Sequence, residues 1–378
     1  MKQITAKQRN TIWTVGIGMG ILLRFIVMSL GHNYDFQSYL IVGDMVRNGI
    51  DVYANTERYN YGPIFMYIQG ALYSISTHAL EPAWMYRVLM VSFLTTADLG
   101  ITLWLRNRYG RKIALFFLLN PVSIIITGYH NQFDNVAILL MLIATSFYNE
   151  EKKFAWKDFG FVIFMSLSLT MKHIFFIFPV WLLLSKTLPW AKKMIYACVP
   201  PLLFLLSFVP YMLRGPESAN GILEHVFLYR SLNNSPLLGW LYGIVGVPDI
   251  LKTLLFIVLV CAMGWIFRNR DIEYRTLMYL MCLVTFASAV TNQYLAIPMA
   301  AICVFGRRMK YVYMILMGHY LLWNKAGMDI ISVYPYEVRL PNSEMLGYFV
   351  ACFLILCMIF WEIYDYKKHC AVNCNGSV

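Results

Sequence analysis

The chain has 378 residues, of which 59% are hydrophobic and only 13% are charged, and its mean hydropathy is +0.58. Soluble proteins carry roughly 25% charged residues, so this composition excludes an ordinary soluble domain and predicts a polytopic membrane protein. The net charge of +11 first indicates cytoplasmic loops rich in Lys and Arg in such a protein, and it does not point to nucleic acid.

Apolar runs recur along the whole chain, and a helix that crosses ~30 Å of hydrocarbon needs about 20 residues. The runs predict an all-α fold: a polytopic membrane helical bundle of about 12 transmembrane helices in one domain, residues 1–378, with no separate soluble domain. The predicted spans are 11–30, 84–105, 112–128, 133–148, 158–171, 173–187, 193–213, 249–268, 274–290, 294–306, 310–323 and 345–364. The run 62–76 begins with Gly-Pro, and we interpret it as a re-entrant or interfacial helix.

The distribution of Lys and Arg predicts which loops lie in the cytoplasm. If the N-terminus is cytoplasmic, every second loop is cytoplasmic too, and these loops contain most of the 31 basic residues. The positive-inside rule then predicts cytoplasmic termini and puts the long loops 31–61, 214–247 and 324–344 outside. Long loops carry function more often than short ones, so any chemistry is expected on the extracytoplasmic face. Short cytoplasmic loops and the lack of an ER-retrieval motif favour a bacterial plasma membrane over the endoplasmic reticulum.

The first candidate residue is Asp35, in the stretch GHNYDFQSYL that directly follows the first predicted span. The residues after it fit an amphipathic helix that lies in the membrane interface. Asp35 is then either a capping or solvated charge at the start of that helix, or the base of an enzyme that works at the membrane surface. Taken alone, the residue favours the first interpretation.

Two basic stretches also border predicted membrane segments. In ERYNYGPIF, which also contains Tyr61, the guanidinium of Arg58 suits a phosphate group, but the stretch taken alone favours interface anchoring. In SLTMKHIFFIFP, Lys172 and His173 interrupt an apolar run. A central lysine costs ~2.5–3.5 kcal/mol on insertion scales, so it indicates function, with a snorkelling lysine as the alternative. If two short helices meet at Lys172, a turn would carry its charge to the outer surface.

A dense polar turn follows the apolar run that begins LNPVSIII. Asn120-Pro121 predicts a kink in that helix, and the chain then leaves the membrane at GYHNQFDN. A polar turn at membrane depth is costly unless it lines a wet cavity, so the functional and structural interpretations are about equal. The candidates in this turn are His130, Asn131, Gln132 and Asp134.

A second outer junction, AVTNQYLAIPMA, adds candidates that polar helix ends would explain equally well. These candidates are Asn292, Gln293 and Tyr294. Weaker candidates in the loop RSLNNSP are Arg230, Asn233 and Asn234. Asp98 lies inside a predicted span, where a buried polar partner is expected.

The candidates lie on different predicted helices, yet the charge-derived topology brings them out on one face. The candidates on this face are Asp35, Arg58, Asp134, Lys172 and Asn292. Sugar transfer from a lipid phosphate requires a carboxylate that deprotonates the acceptor and cations that bind the phosphate leaving group. The extracytoplasmic side has no nucleotide pool, and the sequence contains no G-x-G-x-x-G or P-loop motif, which also favours a lipid-linked donor.

Together these stretches resemble the C-type (GT-C) superfamily of integral-membrane glycosyltransferases, and within it the family of the first mannosyltransferase of GPI-anchor synthesis. The similar stretches are NYDFQSY, RYNYGPIF, LNPVSIIITGYHNQFDN, TMKHIFFIFP and NQYLAIP, in the order in which the family has them. They cover about residues 30–185 and a patch near 290–300, whereas the elements between about 195 and 290 have no distinctive match.

The resemblance implies an inverting transfer from a polyprenyl-phosphate sugar on the lumenal or extracytoplasmic side, with Asp35 as the general base. Mannose is favoured and glucose is next, because GYHNQFDN is also similar to a stretch of the ER dolichol-phosphate-glucose-dependent glucosyltransferases. The residues then expected to contact the donor phosphate or sugar are Arg58, Tyr61, His130, Asn131, Gln132, Asp134, Lys172, His173, Asn292, Gln293 and Tyr294.

The family's first-loop D-x-D pattern is incomplete here, because Asn33 stands two positions before Asp35. No metal site and no cofactor is therefore predicted, although a divalent cation would be compatible with the chemistry. The predicted partners are the polyprenyl-phosphate sugar donor, a glycan or lipid-linked acceptor and membrane lipids, without nucleic acid.

Two other classes of protein remain open. A transporter or flippase for lipid-linked sugars would also contain intramembrane charges and broken helices. Transporters are often built from internal repeats, and the two halves of this sequence show no similarity. A non-catalytic subunit of a membrane glycan synthase would tolerate the loss of Asp35.

Overall fold

The computed structural model describes residues 5–229, 235–239, 248–324, 327–328 and 343–375. All regular structure within these ranges is helical, which confirms the predicted all-α class. The candidates Arg230, Asn233 and Asn234 lie outside the described residues, as does most of the predicted loop 324–344.

The first half of the chain forms long helices that alternate with short ones. Their bounds are α1 Ala6–Ser29, α2 Tyr34–Arg47, α3 Val52–Asn55, α4 Pro63–Ser76, α5 Pro82–Tyr109, α6 Arg111–Leu118, α7 Pro121–Gly128, α8 Asp134–Ser146 and α9 Trp156–Met171. The second half continues with α10 Phe178–Leu184, α11 Trp190–Leu206, α12 Val209–Met212, α13 Pro216–Ile222, α14 Asp249–Ile266, α15 Ile272–Phe286, α16 Met299–Phe305, α17 Met309–Trp323 and α18 Ser343–Asn375. Short 3₁₀ helices at His173–Phe175 and Asn292–Leu295 and a π-helical turn at Leu223–Phe227 join some of these elements.

Several of these helices match the length and composition of membrane spans, as the hydrophobic runs predict. Among the described residues four are long and apolar enough to cross a membrane: Ala6–Ser29, Pro82–Tyr109, Trp190–Met212 and Met345–Tyr366. The pair α6 and α7, bent by 46° at its break, would be a fifth. The chain is therefore a membrane protein.

The helical chain is interrupted at Asn120-Pro121, between α6 and α7, as the sequence predicts. Pro121 has no N–H to continue the helical hydrogen-bond ladder, so it begins a new helix at its first position. The Asn120 side chain caps that helix by accepting a hydrogen bond from the backbone N–H of Val122 at 2.9 Å. After this 46° bend, α7 leads directly into a polar turn at residues 129–133.

A second predicted break occurs at Lys172, where α9 ends in an extended residue with φ −154° and ψ 126°. A 3₁₀ turn and the short α10 follow, so two short helices do meet at this lysine. The start of α4 packs against the same region, because a Cβ on Gly62 would lie 2.0 Å from the carbonyl oxygen of Thr170. Only glycine allows this approach of the two backbones.

The basic ends of several helices meet at one end of the bundle. Arg108 pairs with Glu273 at 2.9 Å, and Arg307 pairs with Asp365. The backbone N–H of Lys186 donates to the carbonyl of Arg268 at 3.4 Å. We call this the basic end; the opposite end, where α1, α7 and α9 finish and α2 and α8 begin, is the site end.

A buried ion pair stabilises the packing of α9 on α11 near the basic end. Lys192 Nζ lies 2.7 Å from Asp158 Oδ1, with 0% and 4% of the two side chains exposed. Asp158 also accepts hydrogen bonds from the Tyr196 hydroxyl, the Asn149 amide and the backbone N–H of Ala155. Its charge is therefore fully compensated inside the bundle.

We expect Lys192→Met to lower the free energy of unfolding by ~3–5 kcal/mol, because it leaves the Asp158 charge buried without a cation. The double variant Lys192→Met/Asp158→Leu should be more stable than the single variant, although it removes more contacts, because no buried charge remains. Melting temperatures in detergent measure both effects. A single variant that melts like the wild type would contradict this account of the pair.

Candidate functional site

The polar turn between α7 and α8 is held by its own side chains and backbone. Asn131 takes a left-handed conformation with φ 56°, which Asn tolerates better than most residues. Its Nδ2 donates to the carbonyls of Thr127 at 3.1 Å and Gly128 at 3.0 Å, and thereby caps the end of α7. This cap ends α7 and starts the segment 128–134, which connects it to α8. The segment contains His130, Gln132 and Asp134.

Asp35 lies half-buried in the first turn of α2 and is held by neighbours on only one of its two oxygens. The Asn33 amide donates to Asp35 Oδ2 at 3.0 Å, and the amide of Gln132 donates to the same oxygen. Oδ1 receives no hydrogen bond from the described residues. The carboxylate is therefore oriented by protein donors and keeps one oxygen for another partner.

His130 is linked to this carboxylate through Asn33. Burial lowers the pKa of His130 from 6.5 to about 4, so the imidazole is neutral at physiological pH. The Asn33 amide lies 3.2 Å from Nδ1, and an amide N–H can donate only to an unprotonated nitrogen. The proton of His130 is therefore assigned to Nε2, which is buried and has no partner among the described residues.

The second centre of the site is an ion pair between Lys172 and Asp134, whose Nζ and Oδ2 lie 2.7 Å apart. The exposed fractions of the two side chains are 12% and 5%. The lysine also faces the rings of Phe133, 4.7 Å from Nζ, and Tyr61, 5.2 Å from Nζ. The pair compensates a charge that would be costly alone at this depth.

Tyr61 joins the two centres. Its ring contacts Phe133 edge-on, with 4.7 Å between the centroids, and its carbonyl accepts a hydrogen bond from the Tyr53 hydroxyl at 2.9 Å. Burial raises the pKa of Tyr61 well above its usual value, and the negative charges of Asp35 and Asp134 raise it further. Tyr61 therefore stays a neutral phenol close to both carboxylates.

Arg58 lies at the edge of the site. Its guanidinium carbon stacks 4.4 Å from the ring centre of Tyr34, the residue before Asp35. Among the described residues it has no carboxylate partner. This is the environment expected of a cation that binds an external anion.

The remaining candidates are arranged around these centres. His173 follows Lys172, is half-buried, and begins the 3₁₀ turn His173–Phe175. Asn292 accepts a hydrogen bond from the Tyr348 hydroxyl at 2.9 Å, which ties the 3₁₀ turn containing Gln293 and Tyr294 to α18. These contacts serve the packing of the bundle at the site end.

A cavity of about 20 Å³ lies beneath the polar turn. It is lined by Asp98, Ile101, Phe117, Ser123, Ile126, Thr127, Gln132, Asp134, Asn135, Ile138, Ala296, Ile297 and Ala300. A space of this size accommodates about one water molecule and no hexose.

Sequence reasoning missed three residues that the structure ties to the site: Asn33 as a donor, Thr127 and Asn135. In the sequence, Asn33 is notable only because it replaces the first Asp of the D-x-D pattern. Its contacts with Asp35 and His130 depend on the tertiary structure. The structure does not place every candidate in contact. Asp35 contacts Gln132 and is linked through Asn33 to His130. Lys172 contacts Asp134. Arg58 and Asn292 lie at the edge of these two groups.

Comparison of the chain with protein-family models, with curated proteins and with solved structures finds no match. Within the residues that the structure describes, no group of three or more His, Cys, Asp or Glu side chains is arranged to hold a metal ion. The function is therefore argued from the geometry of the site.

The lowered pKa of His130 predicts a loss of stability in acid. The unfolded chain takes up a proton on this residue below a pKa of 6.5, whereas the folded protein does so only near 4. The unfolded state therefore binds more protons in this window, and stability falls as the pH falls through it, by up to ~1.4 kcal/mol per pH unit for one histidine.

We expect His130→Asn to flatten this dependence, because the Asn oxygen can replace Nδ1 as the acceptor for Asn33 but does not titrate. His173→Asn is the control at the half-buried histidine that follows Lys172, and the two changes should be additive. Melting temperatures between pH 7.5 and 4.5 measure the slopes. An unchanged slope in His130→Asn would show that the imidazole is protonated in the folded protein.

Proposed function

We propose that the protein is an inverting glycosyltransferase of the GT-C type, which moves a hexose from a polyprenyl-phosphate donor to a hydroxyl acceptor on the extracytoplasmic face. Mannose is the favoured sugar and glucose the next. The observation that carries the proposal is the geometry of Asp35: one oxygen is held by Asn33 and Gln132, and the other is not engaged by the described residues. A general base needs this combination of a fixed orientation and a free oxygen.

In the proposed reaction the acceptor hydroxyl attacks C1 of the sugar from the side opposite the phosphate. Asp35 Oδ1 takes the proton from the hydroxyl, the new C1–O bond forms, and the bond from C1 to the phosphate oxygen breaks. The phosphate keeps the electron pair, so its negative charge grows as it leaves. Inversion at C1 follows from the opposite-face attack.

Cations beside the leaving phosphate would lower the barrier by neutralising this growing charge. Arg58 suits the role because its guanidinium is partly exposed and has no carboxylate partner among the described residues. Lys172 uses one of its three N–H donors for Asp134, and the other two can reach a bound phosphate. Asp134, Tyr61 and Gln132 would then contact sugar hydroxyls from the base of the site.

The proposed membrane orientation puts the basic end in the cytoplasm and the site end outside, following the positive-inside rule. It includes about twelve crossings, cytoplasmic termini and an interfacial α2, with a bacterial plasma membrane favoured. The contacts that join Arg108 to Glu273 and Arg307 to Asp365 support it, since they gather basic loops of distant sequence at the same end. The prenyl chain of the donor would lie among the apolar helices.

We expect Asp35→Asn to reduce transfer at least ~100-fold, because the amide cannot accept the proton of the acceptor. Asp44→Asn is the matched control: it changes a carboxylate on the same helix, whose Oδ1 accepts from the amide of Asn48 in its own turn at 3.1 Å. The measurement is the release of polyprenyl phosphate from short-chain polyprenyl-phosphate mannose and, separately, from the glucose form, in membranes that supply acceptors. Release that is equal in both variants and the wild type would remove Asp35 as the base.

The same experiment separates the enzyme from the other two classes. A transporter or flippase would bind the donor and release no polyprenyl phosphate. A non-catalytic subunit would release none without its partner and would tolerate Asp35→Asn in a complementation assay. Wild-type release with one sugar and not with the other would name the donor.

We expect Arg58→Gln to weaken use of the donor about 10- to 100-fold in kcat/KM, because the phosphate loses a charge-assisted partner. Arg58→Lys should recover part of this loss, since it restores the charge without the planar fork. Arg214→Gln is the control, because this outer arginine is already paired with Asp51 at 3.5 Å. Equal activity of Arg58→Gln and the control would exclude Arg58 from the phosphate site.

A further inference from the structure

A buried ion pair lies directly below the polar turn. Arg24 Nε on α1 is 2.8 Å from Asp98 Oδ2 on α5, and 0% and 2% of the two side chains are exposed. The guanidinium also donates to the carbonyls of Gly20 and Leu118 and to the Ser123 hydroxyl, each at 2.9 Å. The pair therefore connects α1 and α5 to both sides of the break between α6 and α7.

The Asp98 carboxylate binds the two ends of the turn that carries the site. Thr127, in the last turn of α7, donates its hydroxyl to Oδ2 at 2.7 Å. Asn135, in the first turn of α8, donates its amide to Oδ1 at 2.9 Å and to the carbonyl of Leu94 at 2.9 Å. One carboxylate thus fixes the distance between the residues that flank the turn on either side.

The residues that the turn contributes to the site lie between Thr127 and Asn135, the two residues that Asp98 binds. Gln132 orients Asp35, His130 is linked to Asp35 through Asn33, and Asp134 pairs with Lys172. The cavity of about 20 Å³ belongs to the same arrangement, because Asp98 and Thr127 line it together with Gln132 and Asp134. A displacement of the anchors would therefore reach both centres of the site.

We propose that Asp98, with Arg24 as its counter-ion, is a positioning residue that holds the turn 128–134 in the geometry required by the site, and does not only stabilise the fold. Asp98 touches no substrate in this account. Its effect on transfer passes through Gln132 and Asp134, and that part of the inference rests on the proposed glycosyltransferase function.

A hydrophobic replacement of the pair separates positioning from stability. Buried ion pairs can often be replaced by apolar residues of similar volume without loss of stability. Arg24→Met/Asp98→Leu therefore removes both anchor bonds of the turn and leaves no buried charge. Lys192→Met/Asp158→Leu is the matched control, because that pair is equally buried, is held by a similar set of polar neighbours and lies at the basic end.

Amide hydrogen exchange of the turn gives a readout that needs no substrate. In the wild type the backbone N–H groups of Tyr129 and His130 bond to the carbonyl of Ile125, and that of Gln132 bonds to the carbonyl of Ile126. We expect these amides to exchange at least ~10-fold faster in Arg24→Met/Asp98→Leu than in the control double variant, because the turn can then open locally. Equal exchange in the two double variants overturns the proposal.

If the double variant does not fold, Thr127→Val decides the question. It removes one anchor bond and leaves the Arg24–Asp98 pair intact, so we expect faster exchange of the same amides at an unchanged melting temperature. Unchanged exchange in Thr127→Val would overturn the proposal in that case.

Transfer activity provides the second readout. Small displacements of reacting groups can cost ~10²-fold in rate, so we expect the Arg24→Met/Asp98→Leu variant to lose kcat while its KM for the donor stays within about twofold. A variant with faster exchange and wild-type kcat would mean that the turn is not part of the catalytic geometry, which overturns the positioning role. If the wild type catalyses no transfer, the proposed function fails, and the exchange experiment still decides whether Asp98 holds the turn.

Discussion

Arg24 and Asp98 form an ion pair in the interior of the bundle, and the arrangement of α1, α5, α6, α7 and α8 depends on it. A charge at this depth is costly unless it is paired and its hydrogen-bonding groups are satisfied. The structure meets both conditions: each nitrogen of the guanidinium has an acceptor, and each carboxylate oxygen has a donor. One acceptor, the carbonyl of Leu118, is free because the helix breaks after it, so the ion pair also compensates for the break.

Three ion pairs in the bundle differ in how fully protein groups enclose them and use their hydrogen-bonding groups. The pairs Arg24–Asp98 and Lys192–Asp158 expose no more than 4% of any side chain, and protein groups occupy their donors and acceptors. In the third pair Lys172 exposes 12% of its side chain, lies 5.2 Å from the ring of the half-buried Tyr61, and keeps donors that are not used by Asp134. The third pair is therefore the most exposed of the three, whereas the first two are enclosed by protein groups.

Sequence patterns predicted the irregular points of this fold better than they predicted its contacts. The break at Asn120-Pro121 and the meeting of short helices at Lys172 follow from local chemistry, since Pro lacks an N–H and a lone charge inside an apolar run is costly. Which residues would pair was not predictable in the same way. Asp98 was interpreted as a buried polar partner, and the structure pairs it with Arg24, which lies 74 residues away in sequence. Lys172 was expected to bind phosphate, and the structure pairs it with Asp134.

Irregular backbone concentrates at the site end, and side chains from elsewhere satisfy it. Inside a membrane, backbone that leaves the helix is tolerated only where it is buried in protein or lines a polar space. At the site end Asn120 caps α7, Asn131 caps its other terminus, and Arg24 takes up a carbonyl freed by the break. Continuous helices satisfy their own backbone, so each interruption frees polar groups that other side chains must satisfy. The turn between α7 and α8 places the amide of Gln132 on Asp35, and the break at Lys172 places its ammonium on Asp134. The breaks and the polar residues at them thus form one connected arrangement, because each break frees backbone groups that these side chains satisfy.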